Sequence, residues 1–133
     1  MGVVLYPNVG ALNNIGLVRT NLASCKLKLF KNDILLTPAT VKADLTEADF
    51  GGYAEKTITA LLPAYIDPAG GASAQIATQQ FDCDGTAPDN VVYGFWVETA
   101  AGVLVLAGSF DQGIPMVNLG DSIPIDVKFN FGN

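Results

Sequence analysis

Residues 123–131 read I-P-I-D-V-K-F-N-F, with Ile123, Ile125, Val127, Phe129 and Phe131 apolar at every second position and Pro124, Asp126, Lys128 and Asn130 between them. A period of two sends successive side chains to opposite faces of an extended backbone, so the stretch predicts a β-strand with one buried and one wetted face. Pro124 has no amide hydrogen to donate, which puts the start of this strand at a sheet edge or beyond the ladder. Asn118-Leu119-Gly120-Asp121 supplies a tight turn before it, after a short strand predicted at residues 114–117.

The same pattern recurs upstream. Residues 25–30, C-K-L-K-L-F, alternate Leu27 and Leu29 with Lys26 and Lys28 and predict a half-exposed strand. Residues 91–99, V-V-Y-G-F-W-V-E-T, hold the only tryptophan and the densest aromatic content, the composition of a central strand. Ala100-Ala101-Gly102 turns the chain into a partner strand over residues 103–110, giving a hairpin. Weaker strands are expected at residues 56–62 and 75–83, with Ala77, Gln79, Phe81 and Cys83 on one face of the latter.

Two segments break the rhythm. Thr46-Glu47-Ala48-Asp49 has a capping residue followed by acids, which predicts one helical turn, and the aromatics Phe50 and Tyr53 beside Gly51-Gly52 are expected to close one end of the core. Residues 1–22 carry Leu12, Ile15 and Val18 at partly helical spacing and are expected to form an arm or short helix, packed on the domain or on a neighbour. Residues 23–133 then form one all-β domain, an antiparallel jelly-roll-like β-sandwich of roughly seven or eight strands.

Of the 133 residues, 50% are hydrophobic and only 15% charged, against roughly 25% charged in ordinary globular proteins. A charge-poor exterior suits a protein that meets neighbours over much of its surface, because desolvating an unpaired charge at an interface is costly. The net charge of −6, with 7 basic residues in no cluster, argues against direct nucleic-acid binding. No run reaches the roughly 20 apolar residues of a membrane span, and the N-terminus lacks the basic and apolar blocks of an export signal. Cys25 and Cys83 show no C-x-x-C spacing and are expected to be buried thiols.

Candidates for chemistry are few. The chain has no histidine, which removes the commonest general base and the usual triads. Glu47, Asp49, Glu55 and Glu98 could furnish a carboxylate pair for glycoside hydrolysis, but spacing alone does not bring two of them across a cleft. Asp82, Asp84 and Asp89 loosely resemble a calcium loop and match an ordinary Asp-Gly turn better. Gly51-Gly52 and Gly70-Gly71 lack the context of a phosphate cradle. No catalytic residue, cofactor or metal is expected. Tyr53, Tyr93 and Trp96 are candidates for a stacking platform, and Leu12, Ile15, Val18, Tyr53 and Trp96 for partner contacts.

The order of motifs is itself informative: K-L-K-L-F-K-N-D, then T-E-A-D-F-G-G-Y-A, then V-V-Y-G-F-W-V, then a strand ending in S-F-D, then N-L-G-D-S-I-P-I-D-V-K-F-N-F. This succession, from about Lys26 to Phe131, resembles a group of small structural proteins of tailed bacteriophages, with Leu119 where Asn often precedes Gly-Asp. The resemblance implies a virion component made in the bacterial cytoplasm, foremost a decoration (cement) protein on the capsid surface. As such it would bind major capsid protein and form a homo-oligomer, a trimer in preference to a dimer. The alternative it implies is a receptor- or glycan-binding module of a tail or fibre.

Overall fold

The computed structural model describes residues 24–58, 65–66 and 72–131. The N-terminal segment expected to form an arm, with Leu12, Ile15 and Val18, lies outside the described residues. Those described are mostly strand, with no α-helix among them.

Two compact units divide the chain, the first built from residues 24–57 and 79–124. Its main sheet is antiparallel, in the order β2 (Lys56–Thr57), β1 (Lys26–Phe30), β6 (Asn90–Glu98), β7 (Leu104–Met116). The aromatic-rich β6 is central, as its composition predicts. Beside this sheet, β5 (Gln79–Asp82) pairs with β8 (Ser122–Ile125). The second unit holds β3 (Tyr65–Ile66), β4 (Ala72–Gln75) and β9 (Lys128–Phe131), in the order β3-β4-β9, also antiparallel.

Alternation sets what is buried. On β1, Leu27 and Leu29 are fully buried while Lys26 and Lys28 keep partial exposure. Phe30 breaks the alternation: it is buried too, and with Leu45 and Trp96 it forms a cluster backed by Ile34, Leu36, Leu104 and Ala107. Each such side chain withdrawn from water contributes about 1.5–3 kcal/mol.

The hairpin between β6 and β7 turns where the sequence places it. Thr99 C=O accepts Gly102 N–H at 2.8 Å, Thr99 N–H donates to Val103 C=O at 2.8 Å, and Gly102 takes φ +88°, a conformation open to glycine at little cost. Asn118 to Asp121 closes a second turn, in which Asp121 Oδ2 accepts the amides of Val117 and Asn118 at 3.0 and 2.8 Å. These two bonds hold the Asp121 carboxyl below its usual range.

Four expectations need correction. Residues 46–49 form no helical turn, because their backbone groups are taken from outside the segment. Thr46 C=O accepts Lys31 N–H, Ala48 N–H donates to Leu29 C=O, and Glu47 bridges to Phe30. Thr46 N–H donates to Asn32 Oδ1 and Asp49 N–H to Asn90 Oδ1, each at 2.8 Å. A local cap signal is thus outcompeted by partners distant in sequence; the short 3-10 turn falls earlier, at Lys42–Asp44.

The other corrections concern continuity. The alternating residues 123–131 are not one strand, since β8 and β9 belong to different sheets although the burial alternation runs unbroken through Ile123, Ile125 and Val127. Residues 75–83 divide likewise into β4 and β5. Near these breaks Ile76 N–H donates to Val127 C=O at 3.1 Å, and the Thr78 hydroxyl donates to Asp126. Conversely, the strands expected at residues 103–110 and 114–117 are one element, β7, carrying an insertion.

Candidate functional site

That insertion shapes the first feature of interest. Gly94 lies opposite Ser109 and Val92 opposite Ile114, so the single residue Tyr93 faces residues 110–113. Extra residues on one strand bend it and push its side chains out of the ladder. Gly113 lets the returning chain pass close by, since a Cβ there would lie 2.6 Å from Val91 and 2.8 Å from the Tyr93 ring. The result is an open cleft of about 500 Å³, bounded by Tyr93, Phe110, Asp111 and Gln112 on the sheet and by Asp33 and Leu35 on the loop after β1.

The second feature adjoins it. Leu36, Pro38 and Thr40 of the same loop face Leu104, Leu106 and Ala107 of β7 across a groove of about 450 Å³. No described residue pairs with the outer edge of β7. Between Glu98 and Asp111 the sequence T-A-A-G-V-L-V-L-A-G-S-F holds no charge, and Val103 and Val105 are 62% and 46% exposed. Edge strands are ordinarily protected by brevity, lysine or proline. The opposite edge follows that rule, with only Lys56 and Thr57 in β2; on β7 the outer side of residues 104–109 holds no lysine or proline, and its one irregularity is a slip in register at Val105, between Leu104 and Leu106.

The third feature is ionic. Glu98 is 3% exposed and accepts Trp96 Nε1–H at 2.8 Å, while Lys28 and Lys42 approach it at 3.2 and 3.0 Å. Glu55 and Glu47 face the other side of Lys28 at 3.5 and 3.8 Å. The structure therefore gathers three of the four carboxylates singled out from the sequence around one ammonium; Asp49 stands apart, bound to Lys31 at 2.8 Å and to Asn90. Burial works to raise the Glu98 carboxyl, but the hydrogen bonds from Trp96, Lys42 and Lys28 outweigh it and leave it below its ordinary value. For Lys28, burial works to lower the ammonium and is outweighed by Glu98, Glu47 and Glu55, so the net shift is upward. A general acid for glycoside hydrolysis needs a carboxyl shifted upward; Glu98 is shifted the other way, and its surroundings fit a structural ion cluster.

Trp96 is 2% exposed, so it presents no face for stacking a ligand, a correction to its candidacy as a platform and as a partner contact. Tyr53 is half-buried, edge-on to Phe50 at 5.3 Å and stacked on Phe81 at 5.8 Å. Its hydroxyl donates to Glu47 at 2.8 Å and accepts Leu29 N–H at 3.2 Å, and burial pushes it well above the usual phenol range. Of the three aromatics, Tyr93 borders the cleft beside the loop after β1.

Of the aspartates in the 82–89 loop, Asp84 serves the turn, while Asp82 accepts the Gln80 side-chain amide. Asp84 accepts the amide and hydroxyl of Thr86 at 2.9 and 2.6 Å, and among the described residues no group of three potential ligands is set for a metal. Both cysteines are buried, and burial pushes the Cys25 thiol up.

Sequence reading missed the β7 edge. The charge-free run from Thr99 to Phe110 was its visible trace, but nothing in such a run tells whether a neighbouring strand covers it. Among the described residues these features make up a mostly β structure with an uncharged strand edge flanked by two open recesses. A scan of family models and searches of curated proteins and of solved structures return no match to the chain.

Proposed function

We propose that the chain is a virion structural protein, a decoration (cement) protein that stabilises a phage head by binding between major capsid subunits. The observation that carries this reading is the uncharged outer edge of β7 with its exposed valines and adjoining apolar groove. Such a surface is a liability on a solitary protein and an asset on one that is held against others. The motif order supports the same reading, and an antiparallel jelly-roll-like sandwich is the architecture it entails. The protein works by contact, with no catalytic step, and its partners are the major capsid protein and further copies of itself.

The test is direct. Purified heads lacking the protein, when mixed with it, are expected to take it up at a fixed ratio and to melt at a higher temperature. Uptake by isolated tails in place of heads would count against the proposal. A second reading, a glycan-binding module of a tail or fibre, draws on the cleft where Tyr93 and Phe110 stand beside Asp33, Asp111 and Gln112, side chains suited to stacking on a sugar ring and bonding its hydroxyls.

A further inference from the structure

We infer that the cleft bounded by Asp33 and Leu35 on one side and by Tyr93, Phe110 and Asp111 on the other receives an arginine side chain presented by a partner protein. The inference rests on the proposal that the chain acts by contact with other proteins, and it names the chemistry by which one of them is held.

The walls of the cleft are fixed from outside it. Asn32, next to Asp33, donates from Nδ2 to Asp44 C=O and accepts Thr46 N–H at Oδ1, each at 2.8 Å, so the backbone that carries Asp33 is anchored before anything binds. Asp111 sits on the insertion in β7, whose return is pressed against the Tyr93 ring at Gly113. Walls set in advance spare a ligand the entropy of ordering them.

The choice of occupant follows from charge. Asp33 and Asp111 are exposed, and no basic residue lines the cleft with them. The lysines of the same unit are all engaged elsewhere: Lys26 and Lys28 by glutamates, Lys31 by Asp49, Lys42 by Glu98, and Lys56 over the Phe81 ring. Among the described residues neither carboxylate has an ion-pair partner, so the positive charge that complements them comes from outside. Of the two cationic side chains, arginine suits these walls better. Its planar fork bonds carboxylates through paired N–H groups and its flat face packs on aromatic rings such as Tyr93 and Phe110, whereas lysine offers a compact, strongly hydrated charge. A neutral sugar would leave both negative charges uncompensated. Because the cleft and the uncharged edge share β7, a protein resting on that edge is placed to insert a side chain here.

Titration of the isotope-labelled full chain with N-acetyl-arginine amide, followed by NMR, tests this. Saturable shifts are expected at Tyr93, Asp111 and Gly113, and N-acetyl-citrulline amide, of nearly the same shape but uncharged, is expected to produce none. Asp33→Asn and Asp111→Asn, both at exposed positions, are each expected to weaken arginine binding about tenfold, the value of one charge-assisted hydrogen bond. Asp89→Asn, the same change of charge at an exposed position away from the cleft, is expected to leave binding unaltered. Absence of saturable shifts, equal shifts from citrulline, or cleft variants that bind as the native chain does would overturn the inference; saturable shifts from methyl glycosides in place of arginine would overturn it in favour of the glycan reading. Uptake by heads is measured separately. A native chain that heads take up but arginine leaves unchanged sinks the cleft assignment alone, whereas one that binds arginine but ignores heads sinks the cement reading alone.

Discussion

Gly94→Ala is expected to lower stability by about 3 kcal/mol, at the upper end of the usual cost of overpacking. A Cβ at this position would lie 2.2 Å from Gly108 C=O and 2.3 Å from Phe30 Cζ. Neither neighbour is able to give way. The carbonyl belongs to β7, which is paired with β6 on both sides of this point, and the Phe30 ring is fully buried against Leu45 and Trp96. In a chain of this size the loss corresponds to a fall in melting temperature of about 10 °C. Gly120→Ala is the control: nothing lies within 4 Å of its Cβ position, and only its φ of +98° is strained, so about 1 kcal/mol is expected. Thermal melts of the two variants, made together, separate the steric argument from a general intolerance of substituted glycines.

Glu98→Ala should follow closely, at about 3 kcal/mol, the lower end of the range for breaking a buried ion pair. Removing the carboxylate leaves Trp96 Nε1–H without its acceptor in a buried site, and it strips Lys28 of its nearest counter-ion. Two features limit the damage. Lys28 retains Glu47 and Glu55, and Lys42 is exposed enough to turn to water. The same cluster gives the fold a pH dependence whose sign is fixed. The folded-state carboxyl of Glu98 lies below its ordinary value of 4.5, so its contribution is complete above about that pH and is lost as the pH falls through the lower, folded value. Denaturant midpoints measured from pH 7 down to pH 3 are expected to fall, and to fall less steeply in Glu98→Gln, which keeps an acceptor for Trp96 but has no charge to lose. Asp49, Asp84 and Asp121, also held below their ordinary values, add to the slope in the same direction. Lys28 works in the opposite window, since its raised ammonium stabilises the fold at neutral pH and ceases to do so only as the pH rises past 10.5.

Sequence and structure agree where a residue's environment is set by its neighbours in the chain. The alternation of Leu27 and Leu29 with lysines, the aromatic run of β6 and the Gly102 and Asn118–Asp121 turns were all legible because backbone period and turn chemistry are local properties. Disagreement arises where a distant partner decides. Glu47 pairs with Phe30 and its neighbours bond to Asn32 and Asn90, and no pattern within T-E-A-D reveals those partners. The continuous alternation of residues 123–131 conceals a change of sheet, because burial and hydrogen bonding are separate requirements and only burial has a sequence period.

The candidate surface was less legible still. Low charge announced that some part of the exterior would be neutral, yet composition carries no coordinates, and it took the strand order to place that neutrality on the outer edge of β7. The gathering of Glu47, Glu55 and Glu98 around Lys28 was equally hidden, and their pairing with lysines, not their proximity to one another, decides what they do. Trp96 illustrates the converse error: an aromatic that looked suited to a ligand is instead the buried donor that fixes Glu98.

The proposed role of this chain is to lie against other proteins of a phage head. Cryo-electron microscopy of purified particles, with the protein located by its own density, tests it most directly. The account predicts ordered copies on the outside of the head, seated over the seams between capsid subunits and present in fixed ratio to them. Density confined to the tail or its fibres, or particles that lack the protein altogether, would contradict it.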